Sequence, residues 1–147
     1  MGATAFGEML PNHANRVTMD ETRTDKWGLP VISIDCATGE NERLMRRDMM
    51  NDMAEMLEAT GVREVRVFDN GYFPGMGIHE MGTARMGRDP KTSVLNAHNQ
   101  VWDCSNLFVT DGSCMASSGC QNPSLTYMAL TARAAAFAVD ELKRGSL

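Results

Sequence analysis

The apolar run Leu107-Phe108-Val109-Thr110, stopped by Asp111-Gly112-Ser113 and followed by an alanine-rich segment from Asn122 onward, most limits how this chain can fold. It reads as a strand, a turn at the strand's end and a helix. Asn122 suits the N-cap and Pro123 the first helical position. Leu125, Met128, Ala129, Ala132, Ala136, Val139 and Leu142 make the expected buried stripe, and Lys143, Arg144 and Gly145 mark the end. A strand and helix of this kind without a sheet of their own would leave both faces of residues 107–110 in water. The pair is expected to join a larger sheet, or else to extend one built by the first part of the chain.

That first part has a different character. Residues 15–19 and 29–36 are expected strands, with Val17, Val31, Ile32 and Ile34 favouring the extended state, and the polar residues 20–28 an expected loop. Over residues 42–59, Leu44, Met45, Met49, Met53, Met56 and Leu57 share one helical stripe, with Gly61 placed to cap the end. Such a helix is expected to cover a sheet, its methionines filling the core flexibly. Alternation over residues 62–68 predicts a further half-buried strand. The fold class expected is α/β (α+β).

At 147 residues and 43% hydrophobic, the chain is large enough for one globular core. A net charge of -5 with no basic stripe argues against nucleic acid or an anionic membrane as partner and leaves a small molecule or another protein. No apolar run approaches the roughly 18 to 20 residues of a membrane span. Residues 1–11 carry no leader pattern, although a missing N-terminus could have held one. The expectation is a soluble protein, cytoplasmic or periplasmic depending on that N-terminus. Cys36, Cys104, Cys114 and Cys120 lack CxxC spacing and are expected to be reduced, mostly buried thiols.

Chemistry-bearing residues fall in two clusters. Residues 71–99 break into glycines and polar residues around Gly77-Ile78-His79-Glu80-Met81-Gly82-Thr83-Ala84-Arg85-Met86-Gly87. Loops this long without secondary structure are usually functional or disordered, and imidazole is the side chain suited to proton transfer near neutral pH. The zinc-protease pattern fails for want of a second histidine four residues on. An irregular metal site from His79, His98 and Cys104 stays open, as do a hydrolase site from His79, His98 and Glu80 and an ordinary surface loop. The second cluster is Asp111-Gly112-Ser113 with Gln121-Asn122-Pro123-Ser124: a carboxylate at a strand end could accept from cofactor hydroxyls, and a helix N-terminus could favour negative charge. Taken alone, the cluster is explained by an ordinary turn and an ordinary cap.

Taken in order, His79-Glu80-Met81-Gly82-Thr83-Ala84-Arg85-Met86-Gly87, Asn99 with Val101, Leu107 to Ser113, and Asn122-Pro123-Ser124-Leu125-Thr126 before an alanine-rich helix resemble the C-terminal region of glucose-methanol-choline (GMC) oxidoreductases, closest to the bacterial sugar-oxidising type. The resemblance is specific over residues 77–144 and extends weakly towards the start. It implies a two-domain FAD protein: residues 1–96 complete part of a substrate-binding domain with an antiparallel sheet under helices, and residues 97–147 return to a Rossmann-like FAD domain. By the same resemblance His79 is the catalytic histidine and Asn122 the second active-site position. Asp111, Gly112, Pro123 and Ser124 are cofactor-binding, Ser124 standing where Thr is commoner. The implied reaction oxidises an alcohol or sugar hydroxyl to a carbonyl, His79 taking the proton while hydride moves to flavin N5. The electron acceptor is left open.

One departure stands out. The G-x-G-x-x-G turn that grips a dinucleotide pyrophosphate does not occur, so most of an FAD site is expected on an N-terminal domain missing from these 147 residues. A non-enzymatic binding module on the same fold, and a metal-dependent hydrolase, are the alternatives.

Overall fold

A computed structural model describes residues 2–147. It is a small mixed α/β structure in two compact units, Met1–Gly77 and Ile78–Leu147.

In the first unit, β1 (Arg16–Thr24) and β2 (Pro30–Asp35) form an antiparallel hairpin. Cross-strand partners Val17–Ile34 and Met19–Ile32 set the register, which shifts between Met19 and Thr24. The expected loop at 20–28 is therefore partly strand: Asp20 Oδ1 accepts from Thr22 and Arg23 N–H groups, which absorbs the extra residues in a bulge and lets pairing resume. Asp25 closes the turn by accepting from Trp27 N–H at 2.8 Å, and Gly28 adopts φ +83°.

Helix α1 (Glu40–Ala59) starts at Gly39, whose N–H donates to Glu42 Oε2 at 2.7 Å; Glu42 Oε1 accepts from Leu10 N–H at 3.0 Å. These backbone donors hold the nearly buried Glu42 carboxyl below its ordinary titration range, Leu10 N–H having the largest effect. At the other end Gly61 takes φ +86°, its N–H donating to Glu58 O and that of Val62 to Leu57 O, so the expected glycine cap is present. Met45, Met49, Met53 and Leu57 are half-buried as the periodicity predicts, whereas Leu44 and Met56 are exposed. The stripe meets the segment around Gly7, where an added Cβ would lie 2.6 Å from Met45 Cε. The expected cover over the hairpin is not formed, since Val17, Met19, Ile32 and Ile34 stay exposed. Nor do residues 62–68 form a strand: they pair with neither edge of the hairpin, and Glu64 at φ 56° breaks the extended backbone such a strand needs.

The second unit holds β3 (Gln100–Val101) and β4 (Cys104–Phe108), a short antiparallel pair, a single 3-10 turn at Gly112–Cys114, and α2 (Ser124–Arg144). Its core is small: among the described residues Leu95, Cys114 and Ala134 are its buried hydrophobic side chains. The glycine-rich loop is better ordered than its composition suggests. Ala84 and Met86 N–H groups donate to Ser113 O and Cys114 O at 3.1 and 2.8 Å, and Leu95 bridges both Met86 and Val101. The last expected strand is displaced, running from Cys104 and stopping before Val109, because Val109 N–H and C=O are both taken by Asn99.

Helix α2 turns a different stripe inward. Tyr127, Leu130, Phe137, Ala138 and Glu141 are half-buried and Ala134 buried, while Leu125, Met128, Val139 and Leu142 of the expected stripe are exposed. Phe137 draws that face in, stacking on His98 at 4.1 Å between centroids and meeting Phe108 edge-on at 6.3 Å. A helix apolar on both sides normally has neighbours on both. Gly145 at φ 72° ends it. All four cysteines are free, but Cys104 and Cys120 are exposed, so only Cys114 fits the expectation of full burial.

Candidate functional site

The second unit brings the two sequence clusters together. His79 Nε2 lies 3.0 Å from Asn122 Oδ1, in contact across 43 positions of sequence. His79 is half-buried and Asn122 exposed, so the pair sits at the surface with one side open.

This contact changes the helix start expected from sequence. The N-cap position is Pro123, without a side-chain cap, and Ser124 is the first helical residue. Asn122 cannot close the helix and face His79 with one oxygen. It faces His79, and the first N–H groups of α2 keep their partial positive charge. Pro123 is buried and its carbonyl accepts from Tyr127 N–H at 3.0 Å, which fixes the first turn; Ser124 is exposed.

Asp111 opens the 3-10 turn, its Oδ1 accepting from Ser113 N–H at 2.8 Å and from the Ser113 hydroxyl. Its side chain remains exposed. Gly112 is where two segments touch: an added Cβ would lie 2.9 Å from Tyr127 Oη and 3.2 Å from both Glu80 O and Met81 Sδ. That close approach seats the Asp111 turn directly against the chain carrying His79. All six expected site residues thus belong to the His79 loop, the turn packed against it or the start of α2.

The alternative metal donors do other things. His98 stacks on Phe137 and Cys104 pairs with Asn106. Among the described residues no three His, Cys, Asp or Glu side chains group as a metal site.

Two residues with a part in this architecture went unassigned in the sequence. Asn99, 0% exposed and at φ 63°, donates from Nδ2 to Val109 O at 3.0 Å and accepts at Oδ1 from Arg133 Nη2 at 3.1 Å. Cys114, beside it, has its thiol pushed up by burial, an effect the Asn99 amide opposes. Arg133 is about two and a half turns into α2 and carries no local motif; Asn99 stands in the sequence only as part of the pattern with Val101, which gives it no role.

For an FAD cofactor, the chain offers an exposed carboxylate at a strand exit and an uncapped helix start beside a histidine. Those features fit one edge of a flavin. A glycine turn for the pyrophosphate is not among its residues. No helix among the described residues is long and apolar enough to cross a membrane.

Known proteins resemble this chain over most of its length. The family model described as GMC oxidoreductase matches residues 11–131. The 2-methyl-1,2-propanediol dehydrogenase of Mycolicibacterium austroafricanum is 40% identical over 88% of this chain and 23% of its own length. The fructose dehydrogenase large subunit of Gluconobacter japonicus is 33% identical over 94% of this chain and 25% of its own. A pyranose 2-oxidase of Lyophyllum shimeji is 27% identical over 96% and 23% respectively. The chain thus spans about a quarter of the length of these relatives, each named for oxidising an alcohol or a sugar. With the match running through the His79 loop, the Asp111 turn and the start of α2, the chain belongs to the GMC oxidoreductase family, of which it is a C-terminal domain.

Proposed function

We propose that this chain supplies the proton-handling half of an FAD-dependent active site that oxidises an alcohol or sugar hydroxyl to a carbonyl. The observation that carries the reading is the 3.0 Å contact between His79 Nε2 and Asn122 Oδ1, which joins a titratable group to an amide at an open surface. In its Nδ1–H tautomer, with substrate displacing the Asn122 oxygen from Nε2, His79 takes the hydroxyl proton at Nε2, and the Asn122 amide holds the substrate oxygen beside it. Flavin, when bound, accepts the hydride from the carbinol carbon. The uncapped N–H groups of α2 would favour negative charge on the bound cofactor, and Asp111 would accept hydrogen bonds from its hydroxyls. Pro123 and Ser124 would help hold it, and Gly112 keeps the turn close to His79.

In this reading the activity belongs to a longer flavoprotein. Residues 1–96 complete a substrate-binding domain, residues 97–147 return to a Rossmann-like FAD domain, and an N-terminal domain grips the dinucleotide. Support comes from the quarter-length match to the relatives and from the exposed apolar face of α2. Anaerobic mixing of the full-length FAD protein with a panel of sugars and short diols tests it. Bleaching of the flavin absorbance with at least one of them is expected, and an oxidised spectrum throughout the panel contradicts the reading.

A further inference from the structure

We infer that Asn99 is a positioning residue for the His79–Asn122 pair, resting on the function just proposed. Its side-chain amide is hydrogen-bonded to the exit of β4 on one side and to helix α2 on the other. On one side, Asn99 receives Val109 N–H on its backbone oxygen and donates from Nδ2 to Val109 O, both at 3.0 Å. Val109 leads through Thr110 into Asp111 and Gly112, the turn seated on Glu80 next to His79. On the other side, Arg133 Nη2 donates to Asn99 Oδ1 at 3.1 Å. Arg133 lies about two and a half turns into α2, so this bond restrains the helix whose start follows directly on Asn122 and Pro123.

A buried asparagine is costly unless its groups are bonded, and here both ends of the amide are used. The left-handed backbone at φ 63° adds a second constraint, because asparagine tolerates that region where most side chains do not. The amide is thus held rigid from its own backbone outward. Movement of the β4 exit or of α2 breaks one of its bonds, and the loss of a buried bond of this kind corresponds to about tenfold in an equilibrium.

Two variants of the full-length FAD protein separate the two ties. Asn99→Gly keeps the left-handed backbone and removes the amide; Arg133→Lys, at an exposed position, leaves the Val109 bonds in place and loosens the α2 tie together with the Arg133 contact to Met86 Sδ. Hydrogen exchange by mass spectrometry reads the segments, and rapid-mixing flavin reduction reads the site. Asn99→Gly is expected to speed exchange about tenfold at residues 112–115 and 124–128, to lower flavin reduction about tenfold, and to leave FAD content and substrate KM unchanged. Arg133→Lys is expected to affect residues 124–128 and spare 112–115. Unchanged exchange at both segments overturns the inference. So does a uniform rise throughout Ile78–Leu147, which marks a purely structural residue. If His79→Ala leaves reduction intact, the proposed function fails on its own, and the exchange pattern still decides the role of Asn99.

Discussion

Asn122 gives its side-chain oxygen to His79, at 3.0 Å, and leaves helix α2 without a side-chain cap. Capping by asparagine is ordinarily worth about 1 kcal/mol to a helix, so this choice trades local stability for a contact at the site. Replacement by alanine therefore separates the two roles. Asn122→Ala is expected to leave the thermal stability of the protein within about 0.5 kcal/mol of the parent, since no cap is lost. Flavin reduction is expected to fall about tenfold, through loss of one orienting hydrogen bond. A melt lowered by a full cap's worth with unchanged reduction would assign Asn122 to the helix instead.

Gly112 is expected to resist substitution. An added methyl would stand 2.9 Å from Tyr127 Oη and 3.2 Å from Glu80 O, and the carbonyl is backbone that cannot swing away. Gly112→Ala is expected to destabilise by about 1–3 kcal/mol, the range for overpacking a tight contact. Adding Tyr127→Phe removes the nearest atom and is expected to recover part of that loss in a denaturant titration. No recovery would show that the backbone contact with Glu80 dominates.

Acid should act on the first unit through Glu42. Backbone donors from Leu10 and Gly39 hold its carboxyl below the ordinary glutamate value of 4.5, so the folded group releases its proton more readily than the unfolded one. Its contribution to stability is present above about that value and is lost as pH falls through the lower folded range. Asp20 and Asp69, depressed chiefly by Thr22 and Gly71 N–H groups, act in the same direction. Glu42→Gln is expected to weaken the protein near neutral pH and to flatten its stability between about pH 5 and 3. An unaltered pH profile would remove Glu42 from acid sensitivity.

The 147-residue chain by itself is expected to bind FAD more weakly than about 1 μM, because the pyrophosphate turn is not among its residues. It is also expected to self-associate and bind a hydrophobic dye through Leu125, Met128 and Leu142, exposed at 78, 67 and 65%. Calorimetry with FAD and light scattering check both. Sub-micromolar affinity, or a monodisperse monomer that excludes the dye, runs against them.

What could be read directly from sequence was local. The Schellman end at Gly61 and the span of α1 follow from periodicity and one glycine, and the β1–β2 hairpin from β-branched residues either side of Asp25 to Gly28. The His79 and Asn122 clusters were visible as motifs, though their meeting needed the fold. Failures came where a partner decides the outcome. Residues 62–68 alternate correctly but have no strand to pair with, and α2 is apolar on two faces, so periodicity could not say which one Phe137 and Tyr127 would bury. Asn99 was overlooked as a structural centre because a buried amide leaves no periodic trace; its evidence is the set of atoms that surround it.

The most direct test of the account is the rate of anaerobic flavin reduction in the full-length FAD protein carrying His79→Ala. With folding and FAD content matched to the parent, the account predicts a fall of about a hundred- to ten-thousand-fold, the usual contribution of a positioned general base. A rate close to the parent's under the same conditions would contradict it and return His79 to the status of a loop residue.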